Sequence, residues 1–218
     1  RLPRAIRDVC KRQAVPLTLF IKNVLLGKYT GISFVDSTPL RVCKNQRIHI
    51  HKVFKGIAQR GRCSMGWFFG FKLHLICNEK GELLNFMITP GDIDDRKPLE
   101  YKAFIDFIYG KLFGDKGYIG KNLFQRLFVD GIQLITKLKS NMKGALMSVS
   151  DRLLLRKRAI IETVNDELKN IAQVEHSRHR CFDNFIVNLL GAIAAYCLFP
   201  KKPCINVQRT IDTQLALF

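Results

Sequence analysis

Three acids, Asp36, Asp115 and Glu162, sit where a sequence can bring carboxylates together. GISFVD (31–36) and KLFGD (111–115) each read as a short buried strand that runs into an Asp. Glu162 lies in KRAIIETVNDELK (157–169), which reads as an amphipathic helix. At roughly 100° per residue, Arg158, Glu162 and Lys169 fall nearly in line on its polar edge. Ile161, Val164, Leu168 and Ile171 form the neighbouring stripe that a core would cover. In an α/β layer, strand ends and a helix rim can converge on one crevice. Three close anions repel unless cations neutralise them, and hard oxygen donors suit magnesium or manganese. Two such ions about 3.5–4 Å apart can activate a water or a 3′-hydroxyl and stabilise the leaving oxygen in an attack on a phosphodiester. The plainer alternative is a solvated, salt-bridged helix face and acids picked from among eighteen.

The elements that must position these groups follow from local patterning. Residues 67–77 (WFFGFKLHLIC) alternate as a strand, and 83–89 returns as its hairpin partner across a turn containing Gly81. Residues 119–129 are helical by period, and 132–138 forms the next strand. A strand, a helix and a strand in that order predict parallel neighbours joined by a crossover. GDIDD (91–95) lacks the downstream Gly and terminal Glu of a calcium loop, and reads as capping for a helix over 98–109. A short helix is expected over 16–26, and a buried apolar one over 182–199. The sum is a mixed sheet with helices packed on its faces. Residues 1–30 read as a partial linker or the end of a missing N-terminal region, 31–200 as the catalytic domain, and 201–218 as a loose tail.

Charge narrows the partners. Lys and Arg outnumber Asp and Glu by 36 to 18, a net +18 over 218 residues. Such an excess costs self-repulsion unless a polyanion is bound, and nucleic acid is the leading polyanion. The interval 40–66 is rich in cations, Arg47 and Lys52 among them, and nearly free of acid. It reads either as a solvated loop or as a segment that tracks phosphates. Lys72 and Lys116 join it as candidate DNA contacts. The hydrophobic content of 47% supports a core and excludes global disorder. Seven cysteines at wide spacings without a C-x-x-C pattern exclude a disulfide framework and a zinc ribbon, and fit a reducing cytosol. No signal peptide opens the chain, and the apolar run at 184–199 is too short for a membrane span. A cytoplasmic, nucleoid-associated protein is expected.

FVDSTPL (34–40), WFFGFKLHL (67–75), TPGDIDDRKP (89–98), LFGDKGYI (112–119) and LLLRKRAIIETVNDELKNI (153–171) together resemble the DDE transposases of bacterial insertion sequences, most closely the nine-eighty-two group. The resemblance covers about residues 31–204. It implies an RNase H-like fold with helices on both faces of a mixed sheet, and metal-dependent strand cleavage and strand transfer at element ends. It makes Asp36, Asp115 and Glu162 the catalytic and metal-binding triad, with Mg²⁺ or Mn²⁺, two ions, as cofactor. Arg158 and Lys169 match the signature cations that hold DNA phosphates. The implied partners are double-stranded DNA and a second copy of the chain in the active complex. Leu155 is a departure, because relatives in the wider superfamily carry there a Tyr that grips a terminal base. Two other readings remain open from the sequence: a catalytically inactive DNA-binding remnant, and another RNase H-like nuclease or integrase.

Overall fold

The computed structural model describes residues 4–137, 147–175, 179 and 181–207, with side chains described from residue 12 onward. The expected basic loop at 139–150 and the HSRHR patch at 176–180 fall largely outside these residues. Strand β1 (Ile32–Cys43) lies at the centre of the sheet. On one side it pairs antiparallel with β3 (Gly66–Asn78), which pairs antiparallel with β4 (Leu83–Pro90). On the other side β1 pairs parallel with β5 (Gly110–Gly114), which pairs parallel with β6 (Ile132–Thr136). A short β2 (Gln59–Cys63) is antiparallel to the first residues of β3. The chain is thus an RNase H-like mixed sheet, as the resemblance implies.

Helices cover both faces. One core cluster joins Phe34, Leu40, Leu73, Leu75 and Phe113 to helices α5 (Ala159–Asn170) and α6 (Phe182–Cys197). Helix α1 (Arg4–Phe20), followed by a π-turn at Ile21–Leu25, packs against α6. The other cluster joins Val35, Ile76 and Leu112 to α2 (Lys102–Ile105) and α3 (Lys121–Val129). Neighbouring residues such as Phe34 and Val35 feed opposite clusters, as strand alternation requires. Helix α6 also secures the hairpin, since the buried Tyr196 hydroxyl donates to the Gly81 carbonyl at 2.6 Å. The backbone N–H of Ile205 donates to the Glu79 carbonyl at 2.8 Å, so the start of the tail is held on the same turn.

Several expectations are corrected. Asp36 does not end β1, which runs through Ser37, Thr38 and Pro39 to Cys43. Proline is tolerated because β5 pairs with β1 only at Ile32–Phe34, so at Pro39 that edge has no ladder bond to lose. The interval 40–66 is not one loop. It holds the end of β1, a 3₁₀ segment (Asn45–Ile50) and β2. The helix expected over 98–109 shrinks to a 3₁₀ turn (Lys97–Glu100) and the four-residue α2. The helix expected from Pro16 instead contains Pro16 near its end. A separate helix α4 (Val149–Arg156) precedes α5, and Arg158 stands at the junction rather than inside one long helix. Ile171 is exposed past the end of α5, whereas Ile161, Val164 and Leu168 are fully buried.

Candidate active site

Strand alternation places Asp36 on the face of Phe34, under α5. The β1–β5 register pairs Phe34 with Phe113. Two further steps along each strand put Asp36 level with Asp115, just where β5 ends and the two strands part. Helix α5 crosses this face, anchored by Ile161, Val164 and Leu168. Its Asn165 side-chain N–H donates to Asp36 Oδ2 at 3.1 Å. Asn165 is 6% exposed, and its Oδ1 is buried without a hydrogen-bond partner among the described residues.

The electrostatics tie these groups together. Burial pushes the Asp36 carboxyl up to about 6 from an ordinary 3.8. The Arg158 guanidinium and the Ser37 backbone N–H pull it down, while the negative charges of Glu162 and Asp115 push it further up. Asp36 therefore lies within electrostatic reach of both other acids and of Arg158, although 79 and 126 positions separate the acids from it along the chain. Arg158 Nη2 donates to Glu162 Oε1 at 2.6 Å, across one helical turn. The guanidinium side chain is 16% exposed and the carboxylate 56%, so the arginine lies inward of the acid it holds.

The candidate DNA-contacting cations divide. Arg158 lies at the carboxylates. Lys169 has its Nζ 3.8 Å from Glu175 Oε1. Lys72 is not presented to solvent. Its ammonium is 2.9 Å from Asp95 and donates to the Ile93 carbonyl at 2.8 Å. Asp95 is thus an ion-pair partner and not a cap, whereas Asp94 Oδ1 does accept from the Arg96 backbone N–H at 2.9 Å. Lys116 is exposed beside Asp115, and Arg47 and Lys52 are exposed beyond the open end of β1. Near that end is a cleft of about 730 Å³ whose lining includes Arg41, Lys44, Arg47, His51 and Glu175. Sequence reasoning missed Asn165. Its one visible signal is a polar residue three positions after Glu162, beside the core stripe.

The carboxylates offer hard oxygen donors of the kind a divalent cation takes, and mutual repulsion leaves negative charge for it to neutralise. Among the described residues, no three acids, histidines or cysteines stand together at metal-ligand spacing. The Glu162 carboxylate is engaged by Arg158.

The chain belongs to the transposase DDE domain family, which residues 26–182 match. No curated protein matches the chain. Among solved structures, the cryo-EM structure of a piggyBac transposase synaptic complex with hairpin DNA is similar at 9% identity and a TM-score of 0.47. That alignment covers 78% of this chain and 47% of the other, so this chain spans about half of its length.

Proposed function

We propose that this domain cleaves DNA strands and joins them to new ones at the ends of a mobile element. Asp36, Asp115 and Glu162 are the acting carboxylates. The observation that carries this reading is geometric: the β1–β5 register brings Asp36 level with Asp115 under α5, whose Asn165 reaches Asp36 and whose Glu162 is paired with Arg158. Membership of the transposase DDE domain family supports it.

The three acids would hold Mg²⁺ or Mn²⁺, and bound ions of this kind polarise an attacking hydroxyl and stabilise the leaving oxygen. The protein's own contribution is positioning. Asn165 fixes one oxygen of Asp36 and so orients its carboxylate. Arg158 restrains Glu162 and supplies positive charge where a phosphate would lie. The buried stripe of α5 sets the height of Glu162 over the sheet, so the geometry is held by packing and not by a loop. Exposed Lys116, Arg47 and Lys52 provide phosphate contacts that orient the duplex without reading its bases.

The test is a nicking and strand-joining assay on duplex carrying the element's own ends, with Mg²⁺, comparing wild type with Glu162→Gln. The expected loss is on the order of 10²–10³-fold or more, the size seen when a preorganised electrostatic group is removed. Equal rates in the two proteins would remove Glu162 from the chemistry. Cleavage without any joined product would favour a plain nuclease.

A further inference from the structure

The hairpin of β2 and β3 carries groups that the carboxylate chemistry does not use. Its register pairs Arg60 with Phe69 and Arg62 with Trp67. Alternation therefore puts Arg60, Arg62 and Trp67 on one face of a two-stranded ribbon. All three are exposed, and Trp67, the sole tryptophan of the chain, is 53% exposed. The Arg60 guanidinium lies 5.0 Å from the centre of the indole ring. The Asn45 side chain donates to the Trp67 carbonyl at 2.8 Å. The ribbon's other face is seated firmly. A Cβ at Gly61 would come 2.0 Å from the Gly91 carbonyl oxygen, so that backbone approach admits only glycine. The ribbon is thus a fixed projection with a cationic, aromatic outer face.

Beyond the ribbon, the same side of β3 is buried in the α5–α6 core and runs to the level of Asp36. Along β3, Trp67, Phe69, Phe71, Leu73 and Leu75 share a side, and Leu75 is the register partner of Asp36. Eight residues separate Trp67 from Leu75, about 26 Å along a strand. The ground between is basic. From residue 41 to residue 59, ahead of the ribbon's own arginines, there are five Lys or Arg and no Asp or Glu. The cleft lined by Arg41, Lys44 and Arg47 lies in this interval.

The geometry points to a track for duplex DNA that leaves the carboxylates, passes the 41–47 cleft and ends on the Arg60–Arg62–Trp67 ribbon. This inference rests on the DNA-processing reading above and adds where the flanking duplex lies. At about 3.4 Å per base pair, the ribbon engages the duplex some eight base pairs from the bond being cut. Arg60 and Arg62 bind its phosphates, and the indole rests against the sugar–base edge of the groove, where a two-stranded ribbon fits.

A fluorescein-labelled duplex of about 30 base pairs, titrated between about 50 and 200 mM salt, tests this by anisotropy. Wild type, an Arg60→Ala, Arg62→Ala double variant and a Lys102→Ala, Lys121→Ala control on the opposite face are compared. Loss of two phosphate contacts should make the slope of log K against log salt shallower by about 1.8. The control should keep the wild-type slope, and wild-type Trp67 emission should change as duplex is added. A double variant with the wild-type slope, or Trp67 emission unmoved at saturation, would overturn the track while leaving a DNA-binding domain. Wild type that binds no duplex at the lowest salt would remove the DNA-processing reading itself, and the track with it. Should the double variant fail to fold by circular dichroism, the wild-type emission decides alone.

Discussion

The two faces of the sheet are built from the same strands to different ends. On the α2–α3 face, Val35, Ile76, Leu112, Leu123 and Leu127 close into an apolar cluster. On the α5–α6 face a larger apolar cluster stops short at the point where β5 ends, and there Asp36, Asn165 and Arg158 enter partly or fully buried positions. The first face is held mainly by apolar burial, with the buried Asn85 amide donating to the Ala103 and Phe104 carbonyls of α2. The second keeps charge at its margin, although burial there raises the Asp36 carboxyl. The polar margin thus coincides with a local parting of strands, while the other face is closed by its own packing.

The sharpest way to break that division is to damage the apolar face and look for an effect on the other. Leu127 is fully buried. Leu127→Ala should cost about 3 kcal/mol of stability by denaturant unfolding, while the folded fraction cleaves DNA at the wild-type rate. A proportional fall in the rate per folded molecule would mean that the two faces are coupled.

A smaller effect should come from within the polar margin. Asn165→Ala should weaken Mn²⁺ binding, read by calorimetry, about 10- to 100-fold, the range for lost partners of a metal-binding carboxylate. Its affinity for duplex should stay unchanged. If Mn²⁺ affinity is unaffected, Asn165 is only a packing residue.

The smallest and most diagnostic effect concerns pH. Because the folded-state pKa of Asp36 is raised from 3.8 to about 6, the folded protein binds that proton more tightly than the unfolded chain. The stability this contributes is present below about pH 4 and is lost as pH rises through 6. Asp36→Asn keeps an oxygen for Asn165 and carries no charge. The variant should therefore be more stable than wild type at pH 8 by about 1–2 kcal/mol, discounted for partial exposure, and equal to it at pH 4. A variant less stable at pH 8 would show that Asp36 is better solvated than its surroundings imply.

Much of this was legible from residues alone. The hairpin, the β5–α3–β6 crossover and the buried stripe of α5 follow from periodicity, because their core contacts repeat at strand or helix spacing. The three acids were legible as a set through their apolar approaches. From the residues alone Asp36 reads as the end of its strand, because Ser, Thr and Pro follow it at 37–39 and favour turns. Nothing local reveals that β5 stops early and leaves Pro39 an open edge. Lys72 alternates like a solvent-facing residue, yet Asp95 and the Ile93 carbonyl, some twenty residues on, take its ammonium. Asn165 meets Asp36 across 129 positions, a separation at which only tertiary structure decides partners.

The bond from the Tyr196 hydroxyl to the Gly81 carbonyl bears on how such a gene would decay. A nonsense codon just ahead of Tyr196 would spare every acid of the proposed triad. It would still strand a desolvated carbonyl in the β3–β4 turn, a loss of about 1–3 kcal/mol, and unfasten the hairpin from its last helix. Copies clipped at the far end are therefore expected to fold less stably although their triad is intact, and an inventory that counts triads alone would overstate how many remain competent.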